Sequence, residues 1–444
     1  MSPQASSTHP LRALRHRNFQ IFFGGQFISL IGTWMQQVAQ SWLIYQLAHS
    51  ATLLGAIGFA SQVPSFFLGP FGGYVADRFD RRRSVIMTQT ASMILAFILA
   101  ALTLSNMIRE WHLFVLATLL GVVNAFDVPI RQSFLVQMVE REDLMNAIAL
   151  NSSMFNGARI VGPAIAGLLV ATIGEGWCFF ANAVSYIAVI AGLVIMKPRP
   201  ATLAPASSPW ANIVEGFRYV TRVAPIRALL LLIGLASFAG MPYTVLMPIF
   251  ADQVLHRGAS GLGILMGASG VGALIGSVML AMRSSVRGLG RWVSISAAAF
   301  GISAVVFALS RNFALSVIAL VPLGIAMMVQ ASSTNTLLQS MVPDALRGRV
   351  MAVYSMMFVG LGPFGALLAG SLAERIGAPK TVAAGALLTI LGAIAFSMRL
   401  PKLRGEAVQL IIAQQPGSGE PTEQTTATGA EVPLAPRSGE RGQG

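Results

Sequence analysis

The sequence predicts an all-α membrane protein with about twelve transmembrane helices in two pseudo-symmetric six-helix halves. Three observations lead to this fold class. The 444 residues are 55% hydrophobic and only 11% charged, whereas about 25% of an ordinary soluble domain is charged. Apolar runs of about 20 residues recur along nearly the whole chain. An internal repeat relates the first half of the chain to the second.

The apolar runs are continuous rather than alternating, which indicates helices and not a β-barrel. The first six spans are predicted at 19–45, 53–76, 84–106, 111–137, 146–172 and 177–196. The second six are predicted at 226–250, 261–282, 291–310, 313–340, 350–373 and 381–399. The chain therefore divides into an N-terminal bundle over residues 18–196 and a C-terminal bundle over residues 225–400.

Three polar segments flank and join the two bundles. Residues 1–17 are predicted as a cytoplasmic segment without a cleavable signal peptide. Residues 401–444, rich in Gln, Gly, Ser, Thr and Pro, are predicted as a disordered cytoplasmic tail. Residues 197–224 form the linker, in which Trp210, Val214 and Phe217 recur at helical spacing. That spacing predicts an amphipathic helix on the membrane surface.

The net charge of +13 would suggest a nucleic-acid partner in a soluble protein, but here its placement indicates membrane topology instead. The basic clusters fall on alternate loops, and so on one side of the membrane. Their members are Arg12, Arg15, Arg17, Arg78, Arg81, Arg82, Arg83, Lys197, Arg199, Arg283, Arg287, Arg291, Arg347, Arg349, Arg399, Lys402 and Arg404. The positive-inside rule then places both termini in the cytoplasm.

The internal repeat has an offset of about 203 residues. It matches Gly121 with Gly324 and Gly162 with Gly365. The same offset holds from the second span to the eleventh, which favours duplication over a chance match between Gly-rich helices. Two six-helix halves around a central site are typical of alternating-access transport.

The loop between the second and third spans contains a sequence motif that resembles a known family. The loop reads Gly73-Tyr-Val-Ala-Asp77-Arg78-Phe-Asp80-Arg81-Arg82-Arg83 and resembles the signature loop of the major facilitator superfamily. Asp80 stands where a glycine is usual. Further residues resemble the branch of enterobactin-type siderophore exporters and macrolide efflux proteins. They are Asn18, Phe19, Ser29, Gly32, Trp34, Ala39, Leu43, Ser50, Pro64, Gly69, Pro70, Pro129-Ile-Arg131-Gln132 and Ala158-Arg159-Ile-Val-Gly162-Pro163.

This resemblance covers roughly residues 11–400 and implies a major facilitator fold. It implies a monomer in the bacterial cytoplasmic (inner) membrane that exports drug-like or siderophore-like molecules in exchange for protons. An importer or facilitator of another solute remains the alternative, and a non-transporting membrane sensor is a further one.

The signature loop is the predicted gate. Asp77 lies at the cytoplasmic end of the second span, where it would face the start of the eleventh. A carboxylate facing a helix N-terminus gains about 0.3–2 kcal/mol, so the contact would favour the outward-facing state by up to about thirtyfold. Gly73, Arg78, Arg81 and Arg82 complete the gating loop. The alternative for the arginines is that they only fix topology.

Three charged residues, Asp127, Arg131 and Arg159, lie inside predicted spans. A charge at the bilayer centre costs about 2.5–3.5 kcal/mol, so these side chains must face protein or a water-filled cavity. Asp127 and Arg131 are spaced i,i+4 and can pair. Two interpretations of Asp127 stay open: a protonatable coupling site, or a fixed partner of Arg131, Arg159 or Arg81.

The repeat places Gln330 and Thr334 at the positions that match Asp127 and Arg131. At these two positions the second half therefore has polar side chains, as the first half does, but no charged ones. Pairing of Asp127 with one arginine leaves one positive charge in the membrane, which favours an anionic or neutral polar substrate. We expect Gln330 and Thr334 to belong, with the three charged residues, to the coupling or substrate pathway.

The first span carries a polar stripe at helical spacing, which predicts a face on the central cavity. Its members are Gln26, Ser29, Thr33, Gln36 and Gln40. In the fifth span, Gly162 and Pro163 resemble the kink segment of exporters in this superfamily. Close packing between small residues is the alternative for this pair.

Several site classes have no counterpart in the sequence. There is no Gly-rich phosphate loop ending in Gly-Lys-Ser or Gly-Lys-Thr, no metal-ligand spacing among the histidines and no nucleophile signature. We therefore expect no cofactor, no metal and no enzymatic activity. The expected partners are a small-molecule substrate, protons and the lipid bilayer.

Overall fold

A computed structural model describes residues 11–196, 209–283, 285–286 and 288–414. These residues are almost entirely helical. Six helices precede the linker: α1 (Arg17–Ala48), α2 (Ala51–Arg78), α3 (Arg81–Leu104), α4 (Glu110–Leu135), α5 (Leu144–Ile173) and α6 (Glu175–Ile195). Seven follow: α7 (Pro209–Arg222), α8 (Ala224–Val254), α9 (Gly258–Ala281), α10 (Leu289–Leu309), α11 (Phe313–Met341), α12 (Asp344–Ile376) and α13 (Ala378–Ala413).

Eleven of the described helices, α2 to α6 and α8 to α13, are long and apolar enough to cross a membrane. α1 is also long enough, with 32 residues, but its Gln, Ser and Thr side chains make it less apolar. It packs lengthwise against α5 and α6, as a twelfth membrane helix would. The predicted fold class is confirmed, and α7 is the helix of the linker.

Alternating helix directions place the described basic clusters at one end of both bundles, which we call the basic face. Lys197, Arg199 and Arg287 of the predicted clusters lie outside the described residues. The other end is called the opposite face. Arg12–Arg15 form a short 3-10 turn on the basic face, where the Arg12 Nε lies 3.1 Å from the Asp143 Oδ1 before α5.

In the described residues, the extensive packing between the two halves lies on the opposite face, and on the basic face α2 makes only a small contact with the linker helix α7. One hydrophobic cluster there joins Tyr45 and Leu54 of the N-terminal half with Phe250 and Leu262 of the C-terminal half. On the basic face each half has a separate cluster. Phe19, Phe134 and Leu193 belong to the N-terminal one, and Ile226, Val293 and Leu338 to the C-terminal one. The space between the halves is therefore open towards the basic face.

Glycines make the close helix crossings on the opposite face. A Cβ on Gly55 of α2 would lie 3.0 Å from the Cα of Gly370 of α12. A Cβ on Gly167 of α5 would lie 3.0 Å from the Cα of Gly263 of α9. Backbones this close need small residues on both helices, as in other membrane helix pairs.

The glycines matched by the repeat make equivalent contacts in the two halves. Gly162 of α5 lies against the Ile31 carbonyl of α1, and Gly365 of α12 lies against the Phe238 carbonyl of α8. Gly121 of α4 packs on α2, and Gly324 of α11 packs on α9 in the same way. This correspondence is the structural expression of the pseudo-symmetry predicted from the sequence.

The prediction of a disordered tail from residue 401 is wrong for its first part, because α13 continues to Ala413. Leu403, Ala407 and Leu410 recur at i,i+3,i+4 spacing and pack against the hydrophobic cluster of the C-terminal half. This amphipathic pattern extends the helix past Pro401. The rest of the predicted tail, residues 415–444, lies outside the described residues, as do residues 1–10 and 197–208.

Three π-helical turns in the C-terminal half were not predicted: Ala236–Gly240 and Phe250–Val254 in α8, and Met356–Gly360 in α12. In α8, the turn Ala236–Gly240 ends where the Met241 N–H donates to the Ala236 carbonyl at 3.0 Å, just before Pro242, which has no N–H. In α12, the turn Met356–Gly360 lies beside it, and the Ser237 hydroxyl donates to the Phe358 carbonyl at 2.6 Å. A side chain of the irregular turn in α8 thus satisfies a backbone carbonyl of the irregular turn in α12.

Gly121→Ala should destabilise the protein, because the new Cβ would come within 2.9 Å of the Ser61 carbonyl carbon. Overpacking of this kind costs about 1–3 kcal/mol. Gly24→Ala is the matched control, since a Cβ there meets no atom within 4 Å, and alanine is the better helix former. The midpoint of thermal aggregation in detergent measures both. Equal midpoints for the two variants would contradict the close α2–α4 crossing.

Candidate functional site

Asp127 of α4 is the buried acid of the N-terminal half, with 3% of its surface exposed. Its Oδ1 accepts hydrogen bonds from the Thr88 hydroxyl at 2.7 Å and from the Gln89 Nε2 at 2.8 Å, both on α3. Its Oδ2 accepts from the Arg131 Nε at 3.0 Å. Of the partners considered from the sequence, Asp127 is therefore paired with Arg131, not with Arg159 or Arg81.

A layer of buried polar side chains continues from this ion pair across the bundle. The Tyr186 hydroxyl of α6 lies near Thr33 of α1, Ser92 of α3 and Asn182 of α6, and within electrostatic range of Asp127. The Asn182 Nδ2 donates to the Gln36 Oε1 of α1 at 2.7 Å. The layer thus runs from α4 through α3 and α6 to α1.

Sequence reasoning did not single out Thr88, Gln89, Tyr186 or Asn182. The available signal was their polarity inside the otherwise apolar third and sixth spans. A polar group in such a span must find a partner within the protein, because lipid offers no hydrogen bonds. Which helix would supply the partner depends on packing, and four helices contribute to this layer.

The predicted polar stripe of α1 does not face the central cavity as a unit. Gln26, Ser29 and Gln36 are buried, and Gln36 points to α6. Thr33 is exposed and Gln40 is half-buried. The prediction is thus corrected for the three buried residues: α1 packs on α5 and α6, and the stripe is wide enough to cover both the bundle interior and the cavity edge.

Gln330 and Thr334 of α11 are also buried, with Ser333 between them. Among the described residues, the Gln330 Nε2, the Ser333 hydroxyl and the Thr334 hydroxyl have no hydrogen-bond partner. Gln330 and Ser237 line a void of about 10 Å³ inside the C-terminal half, together with Phe300 and Phe358. The second half therefore holds neutral polar groups around a small void where the first half holds an ion pair.

Arg159 of α5 is placed differently from the other two intramembrane charges. Its guanidinium lies 5.6 Å from the ring centroid of Trp34 on α1, and it is close enough to Tyr243 of α8 for an electrostatic interaction. It is only partly buried. In the described part of the chain, no carboxylate forms an ion pair with it.

Two arginines of the predicted gating loop hold helix ends together. The Arg81 Nε donates to the Ala76 carbonyl at 2.9 Å, and its Nη1 donates to the Ser133 carbonyl at 3.2 Å. The Arg82 Nε donates to the Leu193 carbonyl at 2.6 Å near the end of α6. These contacts join α2, α4 and α6 on the basic face, which favours a structural role for both arginines.

Of the other predicted gating residues, Arg78 is exposed, and Gly73 and Asp77 are partly exposed. The Asp77 side chain is 50% exposed, and its one ion pair among the described residues is with Arg81 at 3.7 Å. Arg78 lies over the Tyr74 ring at 5.2 Å, and a Cβ on Gly73 would meet nothing within 4 Å. The contact of Asp77 with the eleventh membrane helix, α12, is not made in this open state and stays a prediction.

Asp80, the departure from the family pattern, has a local explanation. It is the N-cap of α3, and its Oδ1 accepts a hydrogen bond from the Arg83 backbone N–H at 2.8 Å. Aspartate is among the best N-cap residues.

Gly162 and Pro163 lie inside a continuous α5. A Cβ on Gly162 would lie 2.9 Å from the Ile31 carbonyl oxygen, and a Cβ on Gly263 would lie 2.5 Å from the Pro163 carbonyl oxygen. These distances favour the interpretation as a close crossing of α5 with α1 and α9. A kink at this pair stays a prediction.

The opposite face is closed by polar contacts between the halves that sequence reasoning missed. The Tyr45 hydroxyl at the end of α1 donates to the Asp252 Oδ2 of α8 at 2.7 Å. The Glu374 Oε2 of α12 accepts from the Ser50 hydroxyl and from the Thr52 backbone N–H, both at 3.1 Å. More than 200 residues separate the partners in the sequence, so only the fold could pair them.

The chain is similar to known transporters over nearly its whole length. The profile of the family described as transmembrane secretion effector matches residues 7–419. The staphyloferrin A transporter of Staphylococcus aureus is 28% identical over 83% of this chain and 93% of its own length. The enterobactin exporter of Citrobacter koseri is 27% identical, over 88% and 92% respectively. The multidrug efflux pump Tap of Mycolicibacterium fortuitum is 27% identical, over 85% and 93%.

A solved structure supports the fold independently of sequence. A bacterial homologue of the human lysosomal transporter Spinster, in an inward-facing and unoccupied conformation, superimposes with a TM-score of 0.63 at 14% identity. The superposition covers 93% of this chain and 100% of that one. At this identity, the match shows a shared fold.

Asp127→Asn should lower the thermal stability more than the double variant Asp127→Asn/Arg131→Gln. The single change leaves the Arg131 guanidinium without its buried partner, and breaking such a pair costs about 3–5 kcal/mol. Removing both charges avoids that penalty. A double-mutant cycle from thermal unfolding in detergent measures the coupling. Additive effects of the two single changes would contradict a direct interaction between these side chains.

Proposed function

The chain belongs to the transmembrane secretion effector family of the major facilitator superfamily, and we propose that it is a proton-coupled exporter of drug-like or siderophore-like small molecules. Membership makes it a multi-pass membrane transporter and not an enzyme. The names of three relatives, a staphyloferrin A transporter, an enterobactin exporter and a multidrug efflux pump, support export of such compounds.

The observation that supports alternating access is the one-sided packing of the two halves. They share a hydrophobic cluster on the opposite face and have separate clusters on the basic face. Rocking of one half against the other about the central crossings would exchange the open side for the closed one. Both halves that alternating access requires belong to one chain, which supports a monomer as the working unit.

The orientation follows from the positive-inside rule, which assigns the basic face to the cytoplasm and puts both termini there. The bacterial relatives support the cytoplasmic (inner) membrane as the location. In this orientation the structure is open to the cytoplasm. An exporter takes up its substrate from that side.

Asp127 is our candidate for proton coupling. It is a buried carboxylate whose partners come from α3 and α4, in a polar layer that reaches α1. Protonation would release Arg131 and weaken the hydrogen bonds that Asp127 accepts, so that its proton affinity would depend on how these helices pack. The coupling role and the structural role of the ion pair are therefore compatible.

The carboxylates of the two faces would act as opposing latches. Asp252 and Glu374 close the opposite face in the present state. Asp77 would take over on the basic face when α2 approaches the start of α12. Each latch exists in one state only, so each biases the equilibrium by its own contact energy.

Export can be tested in everted membrane vesicles with iron-free enterobactin, iron-free staphyloferrin A and ethidium as probes. We expect at least one probe to accumulate in vesicles that contain the protein, and the accumulation to collapse with an uncoupler. Asp127→Asn and Asp127→Asn/Arg131→Gln should both abolish it, although the double variant is the better folded of the two. Full transport by the double variant would leave Asp127 a purely structural role. Accumulation only in right-side-out vesicles would identify an importer.

The two latches should shift the conformational equilibrium in opposite directions. Asp252→Asn and Glu374→Gln together remove polar contacts of the present state, so they should close the basic face more often. Asp77→Asn removes only a contact of the other state, so it should leave the basic face open more often. The distance between spin labels at the basic ends of α2 and α12 measures both. A shift in the same direction for both variants would contradict opposing latches.

A further inference from the structure

Two faces of α5 are exposed, and they differ in chemistry. Val161, Ile165 and Leu168 form one face, which is entirely apolar, as a surface towards lipid should be. Ile148, Ser152 and Phe155 form the other, and Arg159 continues it by one turn. This second row lies between the line of α5 that contacts α1 and the line that contacts α9, so it borders the space between the two halves.

Arg159 is at the inner end of this row. It stands near the middle of the 30-residue helix, about 20 Å along the axis from either end. Lipid headgroups at the membrane surface are therefore out of its reach. Ser152 and Phe155, both exposed, lie on the same row between Arg159 and the basic end of α5.

The surroundings of Arg159 leave its charge available. In the described residues it has no acidic partner, unlike Arg131, which is bound to Asp127. One side of the guanidinium lies over the Trp34 ring, and the Phe155 ring packs edge-on against that indole at 5.6 Å. An arginine held over an aromatic face keeps its fork of N–H donors free for a planar anion.

A charge at this depth needs compensation, since an uncompensated one is strongly disfavoured in the membrane. Water in the open cavity can supply part of it. The repeat shows that the scaffold does not require the charge, because Gly362 occupies the equivalent position in the C-terminal half. Arg159 thus breaks the symmetry between the two halves. The stability of the fold does not explain why an arginine stands there.

We propose that Arg159, stacked on Trp34 and open to the space between the halves, is a binding subsite for a carboxylate or similar anionic group of the transported molecule. This inference rests on the proposed transport function and narrows its substrate class to molecules with an anionic group beside an apolar or aromatic part. Trp34 and Phe155 would contact that apolar part, and Arg159 would bind the charge.

The repeat provides a matched pair of reporter positions. Ser152 lies seven residues before Arg159, about 10 Å along the helix. Ser355 is its equivalent in α12, is also exposed, and precedes Gly362 instead of an arginine. Ser152→Cys and Ser355→Cys can be compared in a Cys178→Ala background, since Cys178 is the one cysteine of the sequence and is buried.

The experiment compares thiol reagents of opposite charge on protein in phosphatidylcholine nanodiscs at low ionic strength. The readout is the rate of modification by the sulfonate methanethiosulfonate reagent divided by that of the trimethylammonium one. At Ser152→Cys, Arg159→Gln should lower this ratio at least about threefold, and Arg159→Lys should preserve it. At Ser355→Cys the ratio should change little. An unchanged ratio at Ser152→Cys, or an equal change at both positions, would overturn the proposal.

A second measurement tests binding itself. Benzoate should slow the reaction of Ser152→Cys with the neutral reagent N-ethylmaleimide more than benzamide does, and Arg159→Gln should remove the difference. Equal slowing by both compounds, or none, argues against an anion subsite. Neither measurement requires transport. If the thiol measurements support the anion subsite but no probe is exported into vesicles, the proposed direction of transport or the choice of probe molecules is wrong. The proposal of the subsite then still holds.

Discussion

Lipid offers no hydrogen bonds and little screening, and this constraint explains where the protein places its intramembrane charges. Asp127 and Arg131 neutralise each other within one helix, and α3 supplies the remaining donors. The ion pair therefore fixes α3 and α4 relative to each other. The polar layer that begins there extends the same constraint to α6 and α1. Arg159 is placed differently, with its guanidinium over the Trp34 ring and its side chain only partly buried.

The two halves share their packing and differ in their chemistry. Gly121 and Gly324, or Gly162 and Gly365, make the same helix crossings in each half, because close backbone approach depends only on the missing side chain. Asp127, Arg131 and Arg159 have no charged counterpart among Gln330, Thr334 and Gly362. The C-terminal half has instead three π-helical turns and a small void, lined mostly by apolar side chains, that Ser237 and Gln330 border. The N-terminal half thus carries the charges, and the C-terminal half carries the irregular helices.

The two faces of the protein are held by different kinds of contact, and this difference bears on transport. Small residues and hydrogen-bonded carboxylates close the opposite face, while arginines on the basic face bind carbonyls within their own half. Contacts on the basic face can therefore persist while the halves separate. Arg81 and Arg82, which the signature loop contributes, join the basic ends of α2, α4 and α6 within the N-terminal bundle. Asp77 is half-exposed in this state, and its ion pair among the described residues is with Arg81 of its own half.

The sequence by itself determined the fold class, the twelve spans, the repeat and the family, because apolar length, charge placement and the Gly73–Arg83 loop are local properties of the chain. It also identified Asp127, Arg131 and Arg159 as residues that need a partner. Only the tertiary structure decided which partner each one has: Thr88, Gln89 and Arg131 for Asp127, and Trp34 for Arg159. The same holds for the burial of Gln26 and Gln36, and for the Tyr45–Asp252 contact. A helical period gives the direction of a side chain relative to its own helix. Which neighbouring helix that side chain meets depends on contacts between residues far apart in the sequence.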